Sequence, residues 1–243
     1  MFKQKTSVQN QLRHCYSALQ SFLKIGRYAD WVERSQYPVW MFKRRFAKEF
    51  LRSLGIEVKV TGNPGWAQPK TPFLIVSNHV SYVDIILMMW LFPHASFVAK
   101  AEVQKWPWIG KGARLAHSVF VKRSNLHSRR DARDAIYNAI QKDHRQIMMF
   151  PSGTTSIRPL QSWKKGAFDI AAATNTPLIA VRLTYSPLRP VAYIDDDVLY
   201  FHLMNLYEQR NIVAHVEILE PQLIQDPAKD CERVRNWAEG ILS

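Results

Sequence analysis

Two side chains in Ser77-Asn78-His79-Val80-Ser81-Tyr82-Val83-Asp84 are of types that move protons, a histidine followed five positions later by an aspartate. An imidazole takes up a proton near neutral pH, and a carboxylate can orient the ring and stabilise its charged form. His79 is therefore a candidate general base and Asp84 its orienter. A lone pairing of this kind is common in proteins. This one gains weight from its position, directly after the apolar run Pro72-Phe73-Leu74-Ile75-Val76, where a buried strand is expected to give way to a helix.

Two further constellations follow. Phe150-Pro151-Ser152-Gly153-Thr154-Thr155-Ser156 comes after Ile147-Met148-Met149. A small hydroxyl-rich turn behind a strand offers N–H groups and hydroxyls to an anion. It lacks the lysine and glycine spacing of a P-loop and the Gly-x-Ser-x-Gly elbow of an α/β-hydrolase. Phe120-Val121-Lys122-Arg123 ends a short apolar run on two cations, and arginine grips phosphate through paired hydrogen bonds.

These groups need elements to position them. Helices are expected over 8–24, 38–54, 81–91, 126–142, 164–174 and 228–242. Strands are expected over 56–60, 73–76, 96–99, 119–121, 146–150, 178–184 and 212–219. Strands interleaved with helices predict an α/β fold, a mixed and largely parallel sheet flanked by helices. The 243 residues divide on this reading into a basic helical membrane-docking segment, 1–54, and a catalytic domain, 55–243.

The net charge is +13, and residues 1–54 carry eleven Lys and Arg against three acids. Such a segment calls for a polyanionic partner. In 38–54, Phe42, Phe46, Phe50 and Leu54 recur every four residues while Lys43, Arg44, Lys48 and Arg52 fall largely outside the stripe. The pattern describes either a helix lying in a membrane interface or a core-packing helix with a solvated basic face. The cations are not interleaved with aromatics on a strand, so no nucleic-acid partner is expected. Cys15 and Cys231 form no framework and no metal-ligand spacing occurs, which points to a reducing compartment and no metal. The basic polar start is not that of a cleaved signal peptide. The longest apolar run, Ile85 to Pro93, is far below the roughly 20 residues that span a bilayer.

Taken in order, Asn78-His79-x-Ser81-x-x-Asp84, Phe120-Val121-Lys122-Arg123, Phe150-Pro151-Ser152-Gly153-Thr154-Thr155-Ser156 and Thr176-Pro177-Leu178-Ile179-Ala180-Val181 resemble the four blocks of the glycerolipid acyltransferases. That family carries the His-x4-Asp motif and includes 1-acylglycerol-3-phosphate acyltransferases and a lysophospholipid acyltransferase branch. Lys100-Ala101-Glu102-Val103 and Lys164-Lys165-Gly166 resemble its intervening segments, so the likeness covers about residues 38 to 220.

The resemblance implies acyl transfer from a thioester, acyl-CoA or acyl carrier protein, to a hydroxyl of a lysolipid, with no other cofactor. It implies His79 and Asp84 as catalytic residues and Arg123, Ser152, Gly153, Thr154 and Thr155 as substrate-binding ones. It also implies a peripheral place on an anionic surface, the cytoplasmic face of a membrane such as a bacterial inner membrane. Two positions depart from the pattern. Ser152 stands where the family usually has glutamate, and Thr155 where an arginine is frequent. The acceptor is thereby left open among lysophosphatidate, another lysophospholipid and a lyso-aminolipid. A lipid hydrolase with Ser152 as nucleophile, or an inactive membrane-binding relative, are the alternative readings.

Overall fold

The computed structural model describes residues 8–67, 71–122, 126–159 and 162–241. Seven strands form one sheet: β1 (Ile56–Thr61), β2 (Leu74–Ser77), β3 (Ser96–Lys100), β4 (Val119–Val121), β5 (Ile147–Met149), β6 (Leu178–Ser186) and β7 (Ile212–Ile218), in the spatial order β1-β7-β6-β2-β5-β3-β4. β6, β2, β5, β3 and β4 run parallel to their neighbours. The β6–β7 pairing is antiparallel, and β1 follows β7 in parallel at the edge. The sheet is thus mixed and largely parallel, as the interleaved pattern predicts.

β2 is buried at every position, which is why its run is continuously apolar. Its side chains alternate between two cores. Ile75 joins one with Ile179, Val181, Leu183 and Tyr185 of β6, and Leu74 and Val76 join the other with Leu178 and Ala180. Helices α2 (Val39–Ser53), α3 (Tyr82–Leu91) and α7 (Leu199–Glu208) cover the first face through Phe50, Leu51, Val83, Leu87, Leu203 and Leu206. Helices α5 (Leu126–Gln141), α6 (Gly166–Thr174) and α8 (Pro227–Glu239) cover the second, through Ile136, Ile140, Phe168, Ile170 and Val234. Full burial of each such side chain contributes about 1.5–3 kcal/mol.

The N-terminal helices differ from expectation in the length of the first and in the burial of Lys43 in the second. Helix α1 (Val8–Arg34) runs ten residues further than its pattern indicates and packs against α2, α4 (Ile109–Leu115) and α7. In α2 the periodic stripe faces inward: Phe42, Phe50 and Leu54 are buried, and Phe46 packs on Tyr28 of α1 and on Phe50. Of the two readings of that helix, core packing holds. Lys43 is also inside, its Nζ donating to the Ala95 carbonyl at 2.7 Å, whereas Arg44, Arg45, Lys48 and Arg52 are exposed. Burial, then the nearby Arg145 guanidinium, pulls the Lys43 ammonium down to about 7.

Helices α4 and α7 have no counterpart in the sequence expectations. Two glycines interrupt the helical signal of α4, and close packing explains one of them. A Cβ on Gly110 would sit 2.2 Å from the Gln104 carbonyl oxygen. No helix of the described residues is long and apolar enough to cross a membrane.

Candidate functional site

Because β2, β3, β4, β5 and β6 share one direction, the segments leaving their C-terminal ends collect along a single edge of the sheet. Open α/β sheets bind ligands at that edge. The first of these segments is 78–84. Asn78 prolongs β2 with its side chain instead of its backbone: Nδ2 donates to the Leu183 carbonyl at 2.8 Å, and Oδ1 accepts from the Leu183 N–H at 2.8 Å. The backbone is thereby released from the ladder, and His79 lies where the chain turns away.

Ser81 then starts α3. Its Oγ accepts from the Val83 N–H, and Asp84, at the third helical position, reaches back to the Ser81 N–H at 2.9 Å, closing a capping box. The same carboxylate oxygen accepts from the Val80 N–H at 2.6 Å and from His79 Nδ1 at 2.8 Å. The other oxygen accepts from the Tyr185 hydroxyl at 2.6 Å. The Asp84 side chain is fully buried, and its four donors are the compensation that a buried carboxylate requires. The Tyr185 phenol is pushed well above its usual value, by burial first and by the Asp84 charge second, so it stays protonated and remains a donor.

With Nδ1–H held by the carboxylate, the lone pair of His79 lies on Nε2. No described residue hydrogen-bonds Nε2, and the side chain keeps 15% of its surface exposed. One flat side of the imidazole is covered by Phe150, stacked at 3.9 Å between centroids and 12° from parallel. The ring is therefore fixed at Nδ1 and on one face while its far edge reaches the surface. That is the arrangement of a general base awaiting a hydroxyl.

The loop after β5 is brought to this pair. The Ser156 N–H donates to the His79 carbonyl at 2.9 Å, and Lys164 N–H to the Pro151 carbonyl at 3.0 Å. Gly153 takes φ 72° and donates its N–H to the Phe150 carbonyl at 3.0 Å, closing a tight turn. Ser152 Oγ donates to the Thr154 carbonyl at 2.9 Å and makes no hydrogen bond with His79. A serine nucleophile would need its hydroxyl on the base, so the hydrolase reading loses its geometry here. Thr154 is exposed, and Ser152, Gly153 and Thr155 are half-buried beside the pair.

The Lys122 end of β4 lies on the same sheet edge but three strands from β2, roughly 14 Å at the usual strand spacing. Arg123 lies outside the described residues. Among the described residues, no group of three or more His, Cys, Asp and Glu is placed to hold a metal ion.

Three positioning groups escape the sequence reading. Tyr185 has a weak signal: it alternates in register with Leu183 and Val181 on the inner face of β6, but its partner is 101 residues away. Asn78 sits inside the first block, where its link to β6 is invisible. The third is a buried histidine, His202. His202 Nε2 donates to the Ala192 carbonyl at 2.9 Å, which leaves Nδ1 to accept from the Tyr82 hydroxyl at 3.1 Å. Tyr193, in edge-to-face ring contact with both members of this pair, donates its N–H to the Val80 carbonyl at 3.0 Å. The segment after β6 is thus tied down over the His79 turn.

A family model described as Acyltransferase matches residues 57–184. The chain is 32% identical over 208 residues to lyso-ornithine lipid O-acyltransferase of Pseudomonas aeruginosa, covering 79% of this chain and 77% of that protein. It is 31% identical over 154 residues to 1-acyl-sn-glycerol-3-phosphate acyltransferase of Saccharomyces cerevisiae, covering 62% of this chain and 50% of that one. The crystal structure of the 1-acyl-sn-glycerophosphate acyltransferase PlsC from Thermotoga maritima superposes with a TM-score of 0.62 over 96% of this chain and 94% of that chain. At 21% identity this likeness shows the fold.

Proposed function

We propose, from the premise that this chain belongs to the Acyltransferase family, that it moves a fatty acyl group from a thioester to a hydroxyl of a lysolipid, with His79 as the base. The observation that carries the reading is the 2.8 Å contact of His79 Nδ1 with a buried, fully hydrogen-bonded Asp84, which leaves Nε2 as the proton acceptor.

Nε2 takes the proton of the acceptor hydroxyl as its oxygen attacks the thioester carbonyl. Asp84 stabilises the imidazolium that forms. The tetrahedral adduct collapses to the oxygen ester, and the departing thiolate recovers the proton from His79, so the base is regenerated without an acyl-enzyme. The donor is acyl-CoA or acyl carrier protein, and the acceptor a phospholipid-related or amino-acid-headed lysolipid, in membrane-lipid synthesis or remodelling. Arg123 and the loop Ser152-Gly153-Thr154-Thr155 are the substrate-binding groups of this scheme. Exposed Arg44, Arg45, Lys48 and Arg52, with exposed Trp31, Tyr37 and Met41 alongside, support docking on an anionic membrane face as a peripheral protein.

The test is His79→Ala in purified protein with a lysolipid panel. Loss of a positioned general base lowers turnover by about 10²–10⁴. Acyl transfer at the wild-type rate would remove the assignment.

A further inference from the structure

Beside the His79 turn lies a groove of about 350 Å³ lined by Thr155, Ser156, Ile157, Arg158, Arg189 and Asp195, with Ile194 completing one wall. Its two walls come from different segments, and each is pinned to the same dipeptide. On one side the Ser156 N–H binds the His79 carbonyl at 2.9 Å. On the other the Tyr193 N–H binds the Val80 carbonyl at 3.0 Å. The walls of the groove are therefore fixed next to the proposed base by backbone hydrogen bonds.

The charges of the groove are of both signs, and their supports are visible. Ser156 Oγ donates to the Arg158 carbonyl at 2.8 Å and accepts from the Arg158 N–H at 3.1 Å, fixing that backbone. The Arg158 side chain is exposed and has no hydrogen bond or ion pair among the described residues. Arg189 Nη1 is braced on the Ala192 carbonyl at 3.2 Å and on Asp197 at 3.4 Å, which neutralises part of its charge. Asp195 sits in the left-handed region at φ 57°, a conformation that Asp and Asn tolerate better than most residues.

We infer that this groove is the headgroup site for the acceptor, and that it selects a zwitterionic lysolipid: Arg158 and Arg189 take the acidic group and Asp195 the ammonium. The inference rests on the acyl-transfer reading for the hydroxyl beside the headgroup. An anion alone would leave Asp195 facing a like charge, whereas a headgroup with an acid and an amine pairs both signs. Two lipid chemistries share this pattern. A phosphoethanolamine headgroup has a phosphate and an ammonium, and an ornithine acylated through one nitrogen keeps a carboxylate and an ammonium.

The experiment measures kcat and KM of the full-length protein with short-chain lysophosphatidate, lysophosphatidylethanolamine and lyso-ornithine lipid. Asp195→Asn keeps a residue suited to the left-handed backbone and removes only the charge. It is expected to raise KM about tenfold for both zwitterions, to leave lysophosphatidate within about twofold, and to leave kcat nearly unchanged. Arg158→Ala is expected to raise KM for all three. The zwitterion with the lower wild-type KM identifies the acidic group as phosphate or carboxylate. An equal response of all three acceptors to Asp195→Asn, or no response, overturns the inference.

Calorimetric binding of the same lipids to His79→Ala, with and without Asp195→Asn, gives the same comparison without turnover. Turnover by His79→Ala would sink the mechanism, while the binding pattern still decides the groove.

Discussion

Removal of a single oxygen, Tyr185→Phe, tests the support of the proposed base from the side that no local motif reveals. The substitution keeps the ring in its buried place and deletes the 2.6 Å hydrogen bond to Asp84. A hydrogen bond to a charged acceptor contributes about 1.5–3 kcal/mol, and here the orphaned carboxylate oxygen is fully buried, so no water replaces the lost donor. At about 2–4 °C per kcal/mol for a chain of this size, melting is expected to fall by about 3–12 °C.

Turnover should respond less. The other three donors all converge on the oxygen that faces His79 and still hold it, so kcat is expected to drop about three- to tenfold with KM unchanged. The alkaline limb provides a second reading. The Tyr185 phenol titrates higher when folded than its unfolded value near 10, so its contribution is whole below pH 10 and fades as the phenolate forms above it. The wild type should lose stability above pH 10 more steeply than Tyr185→Phe. Thermal melts across pH with an acyl-transfer assay decide the matter. A variant that melts within a degree of the wild type and turns over normally would refute this account of the carboxylate.

Three other outcomes follow from the structure. Lys43 binds its proton less tightly when folded, near 7, than its ordinary value of 10.5, so the unfolded chain holds more protons between those pH values and stability rises with pH there. Urea unfolding at pH 7 and pH 10 should show this rise, at most about 1.4 kcal/mol per pH unit, and Lys43→Met should abolish it. An unchanged slope would mean that the amine is solvated. Ser152→Ala should keep acyl transfer within about threefold and only shift KM, because its hydroxyl serves the Thr154 carbonyl and not the base. A collapse of turnover in that variant would restore the hydrolase mechanism. Replacing Arg44, Lys48 and Arg52 together by Ala should weaken partitioning onto anionic vesicles at least tenfold, at about 1 kcal/mol for each cation near such a surface. Unchanged sedimentation with vesicles would exclude this face as the docking surface.

The legible parts of the chain were those governed by local chemistry. The unbroken apolar run of β2 announces burial on both faces, and the His79–Asp84 pair is readable because helix α3 begins between its members. Lys43 was illegible because it falls outside the four-residue stripe, among the cations of the basic face, and nothing local says that its ammonium ends on the Ala95 carbonyl, 52 residues away. The same holds for Tyr185 and Asn78, whose partners lie 101 and 105 residues off. Helix α7 drew no expectation from the sequence, where the adjacent aromatics Tyr200 and Phe201 favour strand, and packing of Leu203 and Leu206 onto the sheet settles the helix. Sequence patterns report the face an element buries. They do not report which distant group that face will meet.

The oxygen of Asp84 that holds His79 also closes the first turn of α3. Helix start and proposed base therefore share one atom, and a substitution at position 84 disturbs both. Retuning the proposed base without touching that atom means working at the other contacts, Phe150 against the ring and Tyr185 against the second carboxylate oxygen. The shared atom also couples helix and base structurally: His79 keeps this orientation only where the first turn of α3 is formed.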